Sequence, residues 1–138
     1  MPESPIERLL GAVDHLDLEG VMALMAPQSR LLVADGRRAE GADEVRELLA
    51  DFLMHLRSTT HTVTAQWHQD DVWIAEVDAT YELTDWLQTG ALPRAVILRA
   101  GADGVTDVRV YGAHEPDLVG EDPEPGAIHI GGRWMPPL

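Results

Sequence analysis

Residues 41 to 68 read GADEVRELLADFLMHLRSTTHTVTAQWH, and the spacing of the apolar side chains changes within this stretch. In its first half these side chains recur at the spacing of one helix face, at Val45, Leu48, Leu49, Phe52, Leu53 and Leu56. From Thr59 onward apolar and polar residues alternate, which is the pattern of a half-buried strand. A long amphipathic helix followed directly by a long strand predicts an α+β domain.

The segment before residue 41 predicts two more helices. Residues 4–7, SPIE, place a serine cap, a proline at the first helical position and a glutamate three residues after the cap, which together form a capping box. Asp17 is suited to cap a second, short helix that Pro27 ends. Residues 30–34, RLLVA, then predict a short strand.

Alternating segments after residue 59 predict four strands, at residues 59–68, 72–84, 91–100 and 105–114. The connections between them are short, which favours antiparallel neighbours. From Glu115 the chain becomes rich in proline and acidic residues. We therefore predict one domain over residues 1–114 and an extended tail over residues 115–138, packed on the body or on a partner subunit.

The composition excludes several classes of function. Asp and Glu number 24 against 10 basic residues, so the net charge is -14. That charge repels nucleic acid and anionic lipid surfaces, and we expect neither as a partner. The sequence contains no cysteine and no lysine, which excludes thiolate and Schiff-base chemistry. No apolar run approaches the ~20 residues of a membrane helix. We expect a cytoplasmic protein without a metal or cofactor.

The order of elements carries a family resemblance. Together with the segments DLEGVMALMAP at 17–27 and GADEVRELLADFL at 41–53, it resembles the nuclear transport factor 2-like superfamily, and more narrowly its SnoaL-like branch, over residues 5 to 114. The resemblance implies a conical, cystatin-like fold, in which three N-terminal helices pack on a strongly curved antiparallel sheet around a pocket. It also implies a homodimer through the outer sheet face. The superfamily includes ketosteroid isomerases, cyclases, dehydratases, epoxide hydrolases and proteins that only bind, so fold does not determine function.

The resemblance also indicates which family chemistry is missing. Ketosteroid isomerases use a carboxylate base with a phenol and a protonated carboxyl as oxyanion donors. The phenol position aligns with Leu9 and the second acid with Ala95. The base position aligns with Val33, or with Asp35 if a gap of one or two residues is allowed. None of the directly aligned positions carries the needed group, so we do not expect a ketosteroid isomerase mechanism.

A different polar set remains. The acid that SnoaL-like cyclases and epoxide hydrolases place near the end of the last strand aligns with Ala113, which precedes His114. The predicted catalytic residues are therefore His61, Asp78, Glu76 and His114. Two nearby carboxylates in an apolar pocket push their pKa values apart, so one acts as an acid and the other as a base. Histidine exchanges protons near neutral pH.

The orientation of residues 72–84 is ambiguous. Two rows alternate along it, an acid row (Ile74, Glu76, Asp78 and Thr80) and an apolar row (Ala75, Val77, Ala79 and Tyr81). A two-residue turn at Asp70–Asp71 pairs Gln69 with Val72 and places Thr80 opposite His61, whereas a three-residue loop pairs His61 with Ala79. Burial favours the apolar row inside, and the family alignment favours the acid row inside. We adopt the family alignment.

The prediction is a cofactor-free isomerase, dehydratase or cyclase that acts by general acid–base catalysis on a small hydrophobic carbonyl compound. The predicted pocket lining is Leu9, Val13, Val33, Phe52, Val63, Trp67, Ile74, Thr80, Ala95 and Val110. The alternative is a non-catalytic dimer of the same fold that binds a hydrophobic ligand or serves as a scaffold. The alternative is motivated by the missing acids at Ala95 and Ala113.

Overall fold

Three helices and a six-stranded sheet build the body of the protein. The computed structural model describes residues 3–84, 87–112, 128–130 and 133–135. The helices are α1 (Pro5–Asp14), α2 (Leu18–Leu24) and α3 (Ala42–Met54). The strands of the sheet are β1 (Met25–Leu32), β2 (Arg38–Glu40), β3 (Leu56–Gln69), β4 (Val72–Leu83), β5 (Leu92–Gly101) and β6 (Gly104–Gly112). The α+β prediction is confirmed.

The first two helices begin at the expected caps. The Ser4 hydroxyl accepts a hydrogen bond from the backbone N–H of Glu7 at 3.1 Å, and Pro5 follows the cap. The Asp17 carboxylate accepts from the backbone N–H of Gly20 at 2.9 Å. Each cap satisfies an N–H that has no partner within its helix. None of the helices in the described part of the chain is long and apolar enough to cross a membrane.

The sheet has the order β2-β1-β6-β5-β4-β3. Strands β3 to β6 form the expected antiparallel meander, while β1 pairs in parallel with β6 and antiparallel with β2. Strand β1 begins at Met25, earlier than the predicted 30–34 segment, and contains Pro27. Its pairing with β6 is irregular between Met25 and Arg30. The proline is tolerated there because a strand N–H is dispensable at an irregularity.

The helices cover one face of the sheet, and the core lies between the two layers. Ile6 of α1, Val45 of α3 and Leu98 of β5 have no exposed surface. The apolar row of β4 belongs to this inner face, with all four of its side chains buried. The acid row therefore faces outward, which corrects the orientation expected from the family alignment.

A β-bulge in β3 explains why His61 and the acid row lie on opposite faces of the sheet. The turn has two residues, and Gln69 pairs with Val72 as expected. An irregularity between Val63 and Ala65 then shifts the register by one residue, so His61 pairs with Ala79 and not with Thr80. Because side chains alternate along a strand, a shift by one residue exchanges the two faces.

The same bulge divides a row of β3 that was expected to share one face. His61 and Val63 pair with inner residues of β4, whereas Ala65 and Trp67 pair with outer ones, Glu76 and Ile74. Trp67 is accordingly exposed over 53% of its surface. The imidazole of His61 remains inside the cone without the acid row beside it.

In the C-terminal segment the structure describes two short strands. Strands β7 (Ile128–Ile130) and β8 (Arg133–Met135) pair antiparallel. The division into residues 1–114 and 115–138, and the packing of the tail on the body or on a partner, stay predictions. His114 lies outside the described residues.

Candidate active site

A cavity of about 90 Å³ lies between the helices and the inner face of the sheet. Its walls are mainly apolar, formed by Leu9, Leu10, Val13, Val21, Met25, Leu31, Val33, Ala34, Leu48, Leu49, Phe52, Val77, Val96, Val108 and Val110. Its polar lining consists of Asp35, Arg37, His61, Tyr81 and Arg94. A small cavity with a few polar groups in apolar walls is typical of a small-molecule site.

His61 is held in the wall by Asp14. The Nδ1 atom of His61 lies 2.6 Å from Oδ1 of Asp14, and the backbone N–H of His61 donates to Oδ2 at 3.0 Å. A carboxylate accepts hydrogen bonds and donates none, so Nδ1 carries a proton in this pair. In the neutral imidazole the lone pair then lies on Nε2, which is the tautomer needed for a base at Nε2.

Two elements far apart in the chain create this pair. Asp14 is the last residue of α1, and His61 lies on the inner face of β3. A carboxylate at a helix C-terminus is disfavoured by the helix dipole. The two hydrogen bonds to His61 offset that cost and fasten α1 to β3. The His61 side chain is only 7% exposed, and that of Asp14 is 24% exposed.

A phenol and a guanidinium lie beside the imidazole. Tyr81 of β4 and Arg94 of β5 are both buried, and Nη1 of Arg94 donates to the Tyr81 hydroxyl. The guanidinium carbon also lies 5.2 Å from the centre of the Tyr81 ring. The rings of His61 and Tyr81 meet edge to face, with centroids 5.8 Å apart. The three side chains therefore form one polar cluster in the cavity wall.

The exposed lining residues Asp35 and Arg37 mark the cavity mouth. Nε of Arg37 lies 2.8 Å from Oδ2 of Asp35, and Nη1 lies 2.9 Å from Oδ2 of Asp51 on α3. Arg37 therefore links the turn after β1 to helix α3. Exposed ion pairs of this kind contribute little to stability.

Several residues of the predicted pocket lie in the cavity wall. These are Leu9, Val13, Val33, Phe52 and Val110, and the predicted catalytic residue His61 lies with them. Leu9 and Val13 come from α1, Phe52 from α3 and Val110 from β6. Side chains from two helices and from the sheet thus meet at the cavity.

The remaining described residues that were predicted for the site lie outside the cavity lining, which corrects the prediction. Glu76 and Asp78 are exposed on the outer sheet face, so they cannot contact a ligand in the cavity. Ile74, Thr80, Trp67 and Ala95 pair within that same outer face, and Val63 borders a groove outside the cavity. The register shift in β3 and the burial of the apolar row are the physical reasons.

Sequence reasoning did not assign Asp14, Tyr81 or Arg94 to the site. Asp14 follows Leu10 by four residues, so it continues the apolar stripe of α1, and an acid in such a stripe is a usable signal. Arg94 likewise begins the buried row of β5 that continues with Val96. The described part of the chain contains no group of three or more His, Cys, Asp or Glu side chains suited to hold a metal ion.

Comparisons with known proteins agree with this architecture. The SnoaL-like domain family matches residues 6–112. A hypothetical protein from Catenulispora acidiphila with a ketosteroid isomerase-like fold, solved with trimethylamine, has a TM-score of 0.71 and 16% identity, over 80% of this chain and 86% of that one. An NTF2-like protein from Burkholderia pseudomallei has a TM-score of 0.68 and 16% identity, over 78% and 87%.

A third solved structure, an LEH-like epoxide hydrolase from M. tuberculosis, has a TM-score of 0.68 and 14% identity, over 78% of this chain and 79% of that one. No curated protein matches the chain. Identities this low establish a shared fold, and function has to be argued from the site.

Proposed function

The chain belongs to the SnoaL-like domain family, as its resemblance predicted, and we propose that it is a cofactor-free enzyme that transfers a proton on a small hydrophobic carbonyl compound. The observation that carries this proposal is the imidazole of His61 in an apolar cavity wall, held through Nδ1 by Asp14. Isomerisation, dehydration and aldol-type cyclisation all begin with removal of a proton beside a carbonyl, so all three belong to the proposal.

His61 is the proposed general base. Its Nε2 takes a proton from the carbon next to the carbonyl, which leaves an enolate and an imidazolium. Asp14 holds the imidazole in the required tautomer and stabilises the imidazolium by charge. Return of the proton to a different carbon completes an isomerisation, and its delivery to a leaving hydroxyl releases water in a dehydration. A single histidine can carry out both proton transfers of either reaction.

Tyr81 and Arg94 are the proposed binding groups for the carbonyl oxygen. Both line the cavity next to His61, and both carry hydrogen-bond donors. The hydrogen bond from Arg94 polarises the Tyr81 hydroxyl and favours negative charge nearby. Donors placed where an oxyanion develops lower the barrier to enolate formation, and the apolar walls strengthen the interaction by excluding water.

The cavity size supports a small substrate. A volume of about 90 Å³ is well below the roughly 300–1,000 Å³ of pockets that hold drug-sized ligands. The walls offer mainly aliphatic carbon, with one aromatic ring from Phe52. We therefore expect a single-ring or short-chain carbonyl compound.

Deuterium exchange tests the function without knowledge of the natural substrate. The protein is incubated in D₂O with cyclohexanone, 2-cyclohexenone and 3-hydroxyketones, and loss of the α-proton signal is followed by ¹H NMR. We expect exchange about a hundredfold faster than in buffer alone. Ligand binding without exchange for every compound would contradict the enzyme and favour the non-catalytic alternative. The small volume of the cavity, and the position of Glu76 and Asp78 outside its lining, are the observations that favour this alternative.

We also propose that the chain forms a homodimer through the outer sheet face. Trp67 and Ile74 pair directly across β3 and β4, and they are exposed over 53% and 39% of their surfaces. Tyr111 of β6, on the same face, is 42% exposed. Large apolar side chains grouped on one surface are typical of an interface, and a twofold axis lets the same patch cover itself.

The association state tests the dimer. In sedimentation at micromolar concentration we expect twice the 15.2 kDa of one chain. Ile74→Arg is expected to shift the protein to the monomer, because it places a charge in the patch. Met54→Arg on α3 is the matched control, since Met54 is 67% exposed and lies off this face. A monomeric unmodified protein would rule the dimer out.

A further inference from the structure

Four side chains on the outer sheet face form the corners of a near-square, which we call the outer quartet: Arg109 and Tyr111 on β6, and Ile74 and Glu76 on β4. The register places Arg109 and Ile74 at the two ends of one row across β5. Tyr111 and Glu76 end the next row on the same face. Neighbouring corners lie about 10 Å apart across the strands and about 7 Å apart along them. The two charges therefore occupy one diagonal, and the two apolar side chains occupy the other.

The outer face has opposite charge on the two sides of the apolar diagonal. Around Arg109 it carries four arginines and two acids, at Arg30, Arg38, Arg99, Arg109, Glu40 and Asp107. The carboxylate of Asp107 accepts hydrogen bonds from Arg99 and Arg109, at 3.2 Å each, so it neutralises only part of this positive charge. On the other side, the exposed carboxylates of Glu76 and Asp78 have no hydrogen bond or ion pair with any described residue. The face thus has a basic half and an acidic half.

A twofold axis restricts how two copies of this face can meet. In a C2 dimer that joins two faces, the axis lies in the plane of the contact. A side chain on one side of the axis then meets the partner's side chain from the mirror-related position on the other side. A side chain on the axis meets its own copy. Four axis directions bring the quartets of two copies together: along the strands, across the strands, and along each diagonal.

Only one of these four directions pairs opposite charges. An axis along or across the strands places each charged side chain on an apolar side chain of the partner, which buries a charge without a counter-charge. An axis along the charged diagonal places Arg109 on Arg109 and Glu76 on Glu76, and like charges repel. An axis along the diagonal from Tyr111 to Ile74 places each Arg109 on the partner's Glu76. This last direction satisfies both charges and keeps the apolar side chains together.

We propose that the homodimer has this orientation, with Arg109 of each copy on Glu76 of the partner subunit and with Tyr111 and Ile74 on the axis. The orientation rests on the proposed homodimer. Each copy has a net charge of -14, so two copies repel one another at long range. Contact between the basic half of one copy and the acidic half of the other offsets this repulsion locally and selects one relative orientation.

Charge reversal in separate chains tests the orientation. Arg109→Glu gives a dimer two contacts between carboxylates, and Glu76→Arg gives it two contacts between guanidinium groups. We expect each variant alone to dimerise at least about a hundredfold more weakly than the unmodified protein. In an equimolar mixture, a chain with guanidinium groups at both positions meets a chain with carboxylates at both. The heterodimer regains both opposite-charge contacts, so we expect its affinity to lie within about tenfold of the original.

Sedimentation of each variant and of the mixture, at micromolar concentration, is the measurement. Variants that remain dimeric alone would overturn the orientation, and so would a mixture that stays monomeric; in both cases the homodimer itself stands. A monomeric unmodified protein would remove the homodimer and the orientation with it.

Arg8→Glu on α1 and Glu47→Arg on α3 are the matched controls. They make the same changes of charge at exposed positions on the helices, which cover the opposite face of the sheet. We expect both control variants to remain dimers. Dissociation of these controls as well would show that total charge governs association, and it would overturn the proposed contact.

Neutral variants keep the test available if Arg109→Glu does not fold, since Arg109 also holds Asp107. Circular dichroism checks the fold. Arg109→Gln and Glu76→Gln are each expected to weaken the dimer about fivefold, and the double variant about as much as either one alone. Effects that multiply in the double variant would show that the two side chains do not meet, and would overturn the orientation.

Discussion

Replacing His61 with alanine is expected to abolish the deuterium exchange of bound ketones, with a loss of about 10²–10⁴-fold. Among the described residues that line the cavity, His61 supplies the only imidazole, and the alanine variant leaves Asp14 without the group that it orients. The fold should persist, because the backbone N–H of residue 61 still donates to Asp14. The measurement is the exchange rate by ¹H NMR, with circular dichroism as the check on folding.

Asp78→Ala is the matched control for this experiment. The family alignment gives Asp78 a catalytic role, but the structure places it on the exposed outer face of β4. We therefore expect its exchange rate to equal that of the unmodified protein. Activity retained in His61→Ala, or lost in Asp78→Ala, would contradict the site described here.

Replacing Leu98 with alanine is expected to lower the free energy of unfolding by about 2–5 kcal/mol. Leu98 lies on β5, between β4 and β6, and has no exposed surface. The substitution leaves a cavity between the sheet and the helices that rigid neighbours fill only in part. Since domains are stable by about 5–15 kcal/mol, this is a large share of the total.

Urea denaturation measures the effect, and Met54→Ala is its control. Met54 is 67% exposed, so its truncation should change the unfolding free energy by less than about 0.5 kcal/mol. Equal losses in the two variants would show that the core does not lie between the inner sheet face and the helices.

The apolar row of β4 illustrates which features the sequence predicts and which depend on the tertiary structure. Plain burial predicts that Ala75, Val77, Ala79 and Tyr81 face the helices, and the structure agrees with burial and not with the family alignment. A regular register from the two-residue turn would place the acid row on the same face as His61, but the β-bulge in β3 breaks that register. One extra residue between Val63 and Ala65 keeps His61 inside while the acid row faces out.

The candidate site was predictable only in part. His61 could be identified because histidine is a suitable base at a strand position near the predicted pocket. Asp14 could not be assigned as its partner, since 47 residues separate the two in the chain. The hydrogen bond between Arg94 and Tyr81 likewise joins side chains of neighbouring strands, and its existence depends on the register of β4 against β5.

From its sequence alone this chain revealed its helix starts, the change from helical to strand period near Thr59, the α+β class and the family. Those features arise from helix caps and from apolar residues that recur every two to four positions, so neighbouring residues are enough to predict them. Only the tertiary structure determines which row of β4 faces the cavity and which carboxylate holds His61. Those features depend on strand register and on how the helices dock on the sheet. A shift of one residue in strand register turns every side chain of that strand to the other face.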